Sequence, residues 1–72
     1  MPLYRLLQNC AFEPEAIDVM ATAFEDACRA LGLEDSHPRR EYIAKTVIEL
    51  AQQGERDSDR LRERTIAFVK AT

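Results

Sequence analysis

The stretch Gly32-Leu33-Glu34-Asp35-Ser36 decides the fold, and a second stretch, Gly54-Glu55-Arg56-Asp57-Ser58, repeats its chemistry further along the chain. These stretches contain the only two glycines of the 72 residues. Glycine readily adopts the left-handed conformation that ends a helix, and Asp or Ser caps the first free N–H groups of the next helix. Each stretch therefore predicts a helix end followed by a helix start, and together they divide the chain into three helical segments.

The predicted architecture is a single all-α domain, a compact three-helix bundle with a short N-terminal helix or arm. Its segments are the N-terminal residues 1–12 and helices within 13–32, 36–53 and 57–71. A domain of this size buries only about 60% of the surface that its unfolded chain exposes. Because so small a monomer is marginal, we expect the chain to gain core by forming a homodimer.

The first predicted helix carries two neighbouring apolar stripes. Pro14 suits the first turn of a helix, and Glu13 and Glu15 complement the positive end of the helix dipole. At about 100° per residue, one stripe comprises Ile17, Met20, Ala21, Phe24, Cys28 and Leu31, and the other comprises Ala16, Val19, Ala23, Ala27 and Ala30. This wide apolar arc predicts burial on two sides, unless the alanines are there only as good helix formers.

The second and third predicted helices carry narrower stripes. The second runs from about Pro38 to Gln53, with Asp35 or Ser36 as its cap, and the third begins at Asp57 or Ser58. The stripe of the second helix comprises Ile43, Ala44, Val47, Leu50 and Ala51, flanked by Tyr42 and Ile48. The stripe of the third comprises Leu61, Thr65, Phe68 and Val69, flanked by Ile66. Stripes of this width are typical of helices that face a single core.

The N-terminal segment is apolar and has to be covered. Four of its residues follow helical spacing, namely Leu3, Leu6, Leu7 and Cys10. Since a helix this short forms poorly without tertiary support, we expect the segment to pack on the alanine stripe of the first helix or on a second subunit. The candidate interface therefore comprises Leu3, Tyr4, Leu6, Leu7, Val19 and Ala23.

Charge is distributed unevenly along a chain of net charge −3. Residues 1–35 carry seven acidic and two basic side chains, whereas residues 36–72 carry six acidic and eight basic ones. This asymmetry favours self-complementary association or charge-selected partners, unless each half simply presents a solvated helix face.

Basic side chains at the third helix form the alternative candidate site. Arg56, Arg60 and Arg64 follow i, i+4 spacing and would present one ridge to phosphates. The second and third helices with their connecting turn also resemble a helix-turn-helix unit. However, acidic residues interleave with these arginines and the whole chain is acidic. Nucleic-acid binding is therefore the alternative function, with a salt-bridged solvent face as the simpler interpretation.

The sequence has no pattern typical of an active site. His37 is the only histidine, and its neighbour Ser36 does not make a catalytic pair without a third, orienting group. Glycine-rich phosphate loops, zinc-ligand spacings and calcium loops are also missing from the sequence. Cys10 and Cys28 lie far apart and are expected to be reduced, buried thiols. We therefore expect no catalytic, cofactor-binding or metal-binding residue and no enzymatic activity.

Location and function are predicted only in general terms. The N-terminus lacks the basic and apolar regions of a signal peptide, and no stretch reaches transmembrane length. We expect a cytoplasmic protein without membrane association. The favoured function is a small protein–protein interaction, regulatory or adaptor protein that self-associates.

Three stretches resemble those of small uncharacterised helical proteins of proteobacteria. They are Pro2-Leu3-Tyr4-Arg5-Leu6-Leu7, Phe12-Glu13-Pro14-Glu15 and Ala51-Gln52-Gln53-Gly54-Glu55-Arg56-Asp57. The resemblance spans nearly the whole chain and implies a bacterial cytosolic protein of unknown activity. It transfers no functional residues, because none is assigned in those proteins.

Overall fold

Three α-helices make up the fold in a computed structural model, which describes residues 3, 7 and 12–71. Helix α1 spans Pro14–Ala30, α2 spans Arg39–Gln52 and α3 spans Ser58–Ala71. Each helix packs against the other two, so the predicted all-α three-helix bundle is confirmed. None of these helices combines the length and the apolar character needed to cross a membrane.

The first glycine stretch ends α1 as predicted. Gly32 has a φ of +71°, a conformation that suits glycine because it has no Cβ. The N–H of Leu33 donates to the carbonyl of Cys28 at 3.0 Å, and the N–H of Gly32 donates to that of Arg29 at 3.1 Å. This pair of hydrogen bonds is the Schellman motif, which satisfies carbonyls that the helix itself leaves free.

The second glycine stretch ends α2 in the same way and also starts α3. Gly54 has a φ of +107°, and the N–H of Glu55 donates to the carbonyl of Leu50 at 3.2 Å. Three residues later, the Asp57 carboxylate accepts a hydrogen bond from the N–H of Asp59 at 2.9 Å. Asp57 is therefore the predicted cap of α3, and the two helices are joined by a turn in which nearly every residue has a structural role.

The start of α2 differs from the prediction. The helix begins at Arg39, one residue after the predicted start near Pro38 and three residues after the start of the segment 36–53. His37 precedes a proline, whose ring disfavours helical backbone in the residue before it. Pro38 is the N-cap residue, and Nδ1 of His37 accepts a hydrogen bond from the N–H of Arg39 at 3.1 Å. The predicted caps, Asp35 and Ser36, are exposed in the preceding turn.

The buried face of α1 draws on both predicted stripes and comprises Ala16, Met20, Ala23, Phe24, Ala27 and Cys28. Leu3 and Leu7, both in helical conformation, belong to the same core cluster. These six positions of the apolar arc are therefore covered within one chain, whereas Val19 is half-buried and Ala30 is exposed. The accessible surface of 4581 Å² is close to the roughly 4500 Å² typical of a folded monomer of this mass, so burial of the core does not require a second copy.

Helix α3 presents a narrower core face than its predicted stripe. Leu61, Thr65 and Val69 are buried, whereas Phe68 is 47% exposed. Phe68 lies about 60° around the helix from Thr65, at the edge that faces α2. There its ring centroid is 6.4 Å from that of the half-buried Tyr42, so the two rings cover each other only in part.

Candidate functional site

The predicted interface residues are divided by the fold. Leu3 and Ala23 are fully buried and Leu7 is 7% exposed, so their own chain already covers them and they offer little surface to a partner. Leu3 and Leu7 share one core cluster with Ala23 and Ala27 of the alanine stripe, in agreement with the first of the two predicted alternatives, packing on α1. Val19 is half-buried and keeps part of its surface. Tyr4 and Leu6 lie outside the described residues.

Two arginines of the predicted basic ridge, Arg60 and Arg64, converge on a single carboxylate. Glu55, whose side chain is only 14% exposed, lies in the turn before the helix. Its Oε1 is 3.2 Å from Nη1 of Arg64 and 3.7 Å from Nε of Arg60. Pairs at this degree of exposure add little stability, but they offset the positive charge that would attract a phosphate backbone.

Arg56 is separated from the other two arginines of the predicted ridge. It precedes α3, so helical i, i+4 geometry does not extend to it. Its guanidinium carbon lies 5.4 Å from the centroid of the Phe12 ring, and its Nη1 donates to the carbonyls of Ala51 and Glu55. Arg56 therefore places a positive charge on the C-terminal end of α2, where the helix dipole is negative.

A cleft of about 270 Å³ lies between the start of α1 and the turn that joins α2 to α3. It is lined by Glu13, Glu15, Ala16, Val19 and Arg56. The two glutamates are exposed, and within the described part of the chain neither takes part in an ion pair. The cleft brings together one residue from each predicted surface, Val19 and Arg56, which the sequence offers no reason to associate.

A second exposed feature is an apolar strip on the last turns of α3. Phe68 is the exposed large apolar side chain of the described residues, and Ala67 and Ala71 beside it are also exposed. These three positions fall within about 100° of the helix circumference. With the half-buried Tyr42 of α2, they form the surface that we call the Phe68 strip.

Arg40 is a buried charged residue that was not among the predicted site residues. Its side chain is 8% exposed, and its guanidinium carbon lies 5.1 Å from the centroid of the Phe24 ring. Nη2 is 3.4 Å from Glu25 Oε1, and Nη1 is 3.9 Å from Asp35 Oδ1. Its Nε is buried without an acceptor among the described residues. The sequence does contain a sign of this burial, because position 40 lies one helical turn before Ile43 and Ala44 on the apolar stripe of α2.

Cys28 is a free, buried cysteine next to this cluster, as predicted. Burial raises the pKa of its thiol, while the charge of Arg40 lowers that pKa and the charge of Glu25 raises it by smaller amounts. The thiol therefore stays protonated at neutral pH and is a poor nucleophile. Cys10, the other predicted buried thiol, lies outside the described residues.

Among residues 3, 7 and 12–71, no three His, Cys, Asp or Glu side chains are grouped closely enough to hold a metal ion. Comparisons with protein-family models, curated proteins and solved structures find no match to the chain. The resemblance to small proteobacterial helical proteins stays a prediction.

Proposed function

We propose that the chain is a non-enzymatic protein-interaction domain that self-associates through the Phe68 strip. The observation that supports it is the 47% exposure of Phe68 on a helix whose neighbouring positions are small and apolar. Complete burial of a phenylalanine side chain stabilises by about 1.5–3 kcal/mol. A symmetric dimer would cover two such half-exposed rings at once, which favours a weak, concentration-dependent association over an obligate one.

A second copy of the chain is the partner that best complements the strip. Ala67 and Ala71 are one helical turn apart, so two α3 helices can approach closely on either side of the Phe68 rings. In an antiparallel pair with its two-fold axis near Phe68, Arg64 of each copy lies beside the last turn of the other α3. The helix dipole is negative at that end, so Arg64, beyond its ion pair with Glu55, adds a favourable charge contact to the pairing.

The alternative function, nucleic-acid binding through α3, has less support. Arg60 and Arg64 share Glu55, and Arg56 is directed to the end of α2. The regulatory or adaptor role in the cytoplasm that the sequence predicts is part of the same proposal.

Sedimentation velocity over a range from micromolar to millimolar protein tests the proposal. We expect the sedimentation coefficient of the wild-type chain to rise with concentration, and the rise to disappear in Phe68→Ser. Val19→Ser is the matched control, because it makes a similar apolar-to-polar change on α1, outside the strip. A wild-type protein that stays monomeric at 1 mM, or association that is lost in Val19→Ser and kept in Phe68→Ser, would refute the proposal.

A further inference from the structure

We infer that the cleft between the start of α1 and the α2–α3 turn is a separate binding site, which takes a lysine or arginine side chain from an extended basic segment of another protein. The cleft shares no residue with the Phe68 strip, so this inference does not depend on self-association.

The charges of the cleft favour a cationic side chain. Glu13 and Glu15 contribute two exposed carboxylates without an ion-pair partner among the described residues. They belong to the half of the chain that carries seven acidic and two basic side chains. The lining keeps a net negative charge even with Arg56 included, and an acidic surface of this kind steers basic segments toward it.

The size and the apolar lining of the cleft favour a single side chain. Its volume of about 270 Å³ lies just below the roughly 300–1000 Å³ of pockets that hold drug-sized ligands. Ala16 and Val19 provide the apolar part of the lining. Lysine and arginine combine an apolar stem with a charged end, so the stem would lie along these two residues while the charge meets the carboxylates.

Arg56 selects a peptide over a free cation. The Phe12 ring and the carbonyls of Ala51 and Glu55 hold its guanidinium in place, and both hydrogen bonds to these carbonyls come from Nη1. A guanidinium has five N–H donors, so others remain to bind a backbone carbonyl of the bound segment. Two carboxylates, an apolar surface and one fixed donor together match a basic residue within a peptide chain.

NMR titration of the ¹⁵N-labelled protein with a blocked peptide of alternating lysine and alanine tests the inference. We expect the amide shifts to concentrate between Glu13 and Val19 and at Arg56. Glu13→Gln/Glu15→Gln should weaken binding about five-fold, as expected for two exposed charge contacts. The control, Glu34→Gln/Glu49→Gln, removes the same charge from exposed positions outside the cleft and should change the affinity less than two-fold.

Three results would overturn the inference: equal weakening in the two double variants, shifts spread evenly over the protein surface, or equal binding of a peptide with glutamate in place of lysine. The titration is repeated in Phe68→Ser, and the same localised shifts are expected there. A monomeric wild-type protein with localised shifts would refute the proposed self-association while leaving the cleft intact, so the two failures are distinguishable.

Discussion

Replacing Thr65 by valine is expected to stabilise the protein. Thr65 is fully buried on the core face of α3, and its Oγ1 has no hydrogen-bond partner among the described residues. A buried hydroxyl without a partner has lost its hydrogen bonds to water and has formed none within the protein, which costs folding free energy. Valine has nearly the same shape and a similar helix propensity, so the change removes the unpaired polar atom without opening a cavity.

The size of the effect follows from that unpaired atom. A buried, unsatisfied donor or acceptor costs about 1–3 kcal/mol of folding free energy. Taking the lower half of this range, Thr65→Val should raise the free energy of unfolding by about 1–2 kcal/mol. For a domain of this length, each kcal/mol shifts Tm by roughly 4–8 °C, so we expect Tm to rise by about 5 °C or more.

Thr46 provides a matched control within the same chain. It is 3% exposed on α2, but its Oγ1 donates to the carbonyl of Tyr42 at 3.0 Å. Thr46→Val loses that hydrogen bond, which is worth about 0.5–1.5 kcal/mol, so its Tm should stay the same or fall. Thermal and urea unfolding followed by circular dichroism measure both variants. The reasoning fails if Thr65→Val lowers Tm, or raises it no more than Thr46→Val does.

Three further predictions address the turn, the buried charge and the thiol. Gly54→Ala should lower the free energy of urea unfolding by about 1–2 kcal/mol, because φ is +107° while a Cβ would meet no atom within 4 Å; an unchanged midpoint would contradict this. Arg40→Ala should lower the free energy of unfolding by about 2–3 kcal/mol because packing on Phe24 is lost. Arg40→Met, which keeps an apolar stem at this position, should lower it by clearly less. Equal decreases in the two variants would mean that the charge of Arg40, not its packing, stabilises the fold. Burial raises the pKa of the Cys28 thiol in the folded protein, whereas in the unfolded chain this thiol ionises at its ordinary pKa. The free energy of unfolding should therefore be constant below about pH 8.5 and fall above it, because only the unfolded chain loses the thiol proton there. In Cys28→Ala, the free energy of unfolding should fall less steeply between pH 8 and 10 than in the wild type. Parallel stability curves for the two proteins would show that the thiol does not cause the pH dependence.

The interaction surfaces were only partly predictable, and the reasons are physical. The spacing of Arg56, Arg60 and Arg64 predicts a shared ridge only if all three lie on one helix, and Arg56 lies outside it. Glu55 is adjacent to Arg56 in sequence, yet its approach to Arg64 depends on how the turn folds back onto α3. The sequence shows which residues of this region are charged. Which of them form ion pairs is set by the geometry of the turn before α3.

Features that depend on neighbouring residues were determined by the sequence alone. Two glycines end helices, Asp57 starts one, and Pro14 marks the first turn of α1, because the hydrogen bonds involved span no more than five residues. The same locality explains the error at α2, where the effect of Pro38 on His37 outweighs the capping tendency of Asp35 and Ser36.

Features that depend on packing were decided only by the tertiary structure. Leu3 and Leu7 are covered by their own chain, Arg40 is buried against Phe24, and Phe68 is left half-exposed. A periodic sequence shows which side of a helix is apolar, but the angle and depth at which helices meet decide where that side ends. At Phe68 and at the cleft beside Val19, the packing of the helices sets the boundary between the core and the surfaces that we propose bind partners.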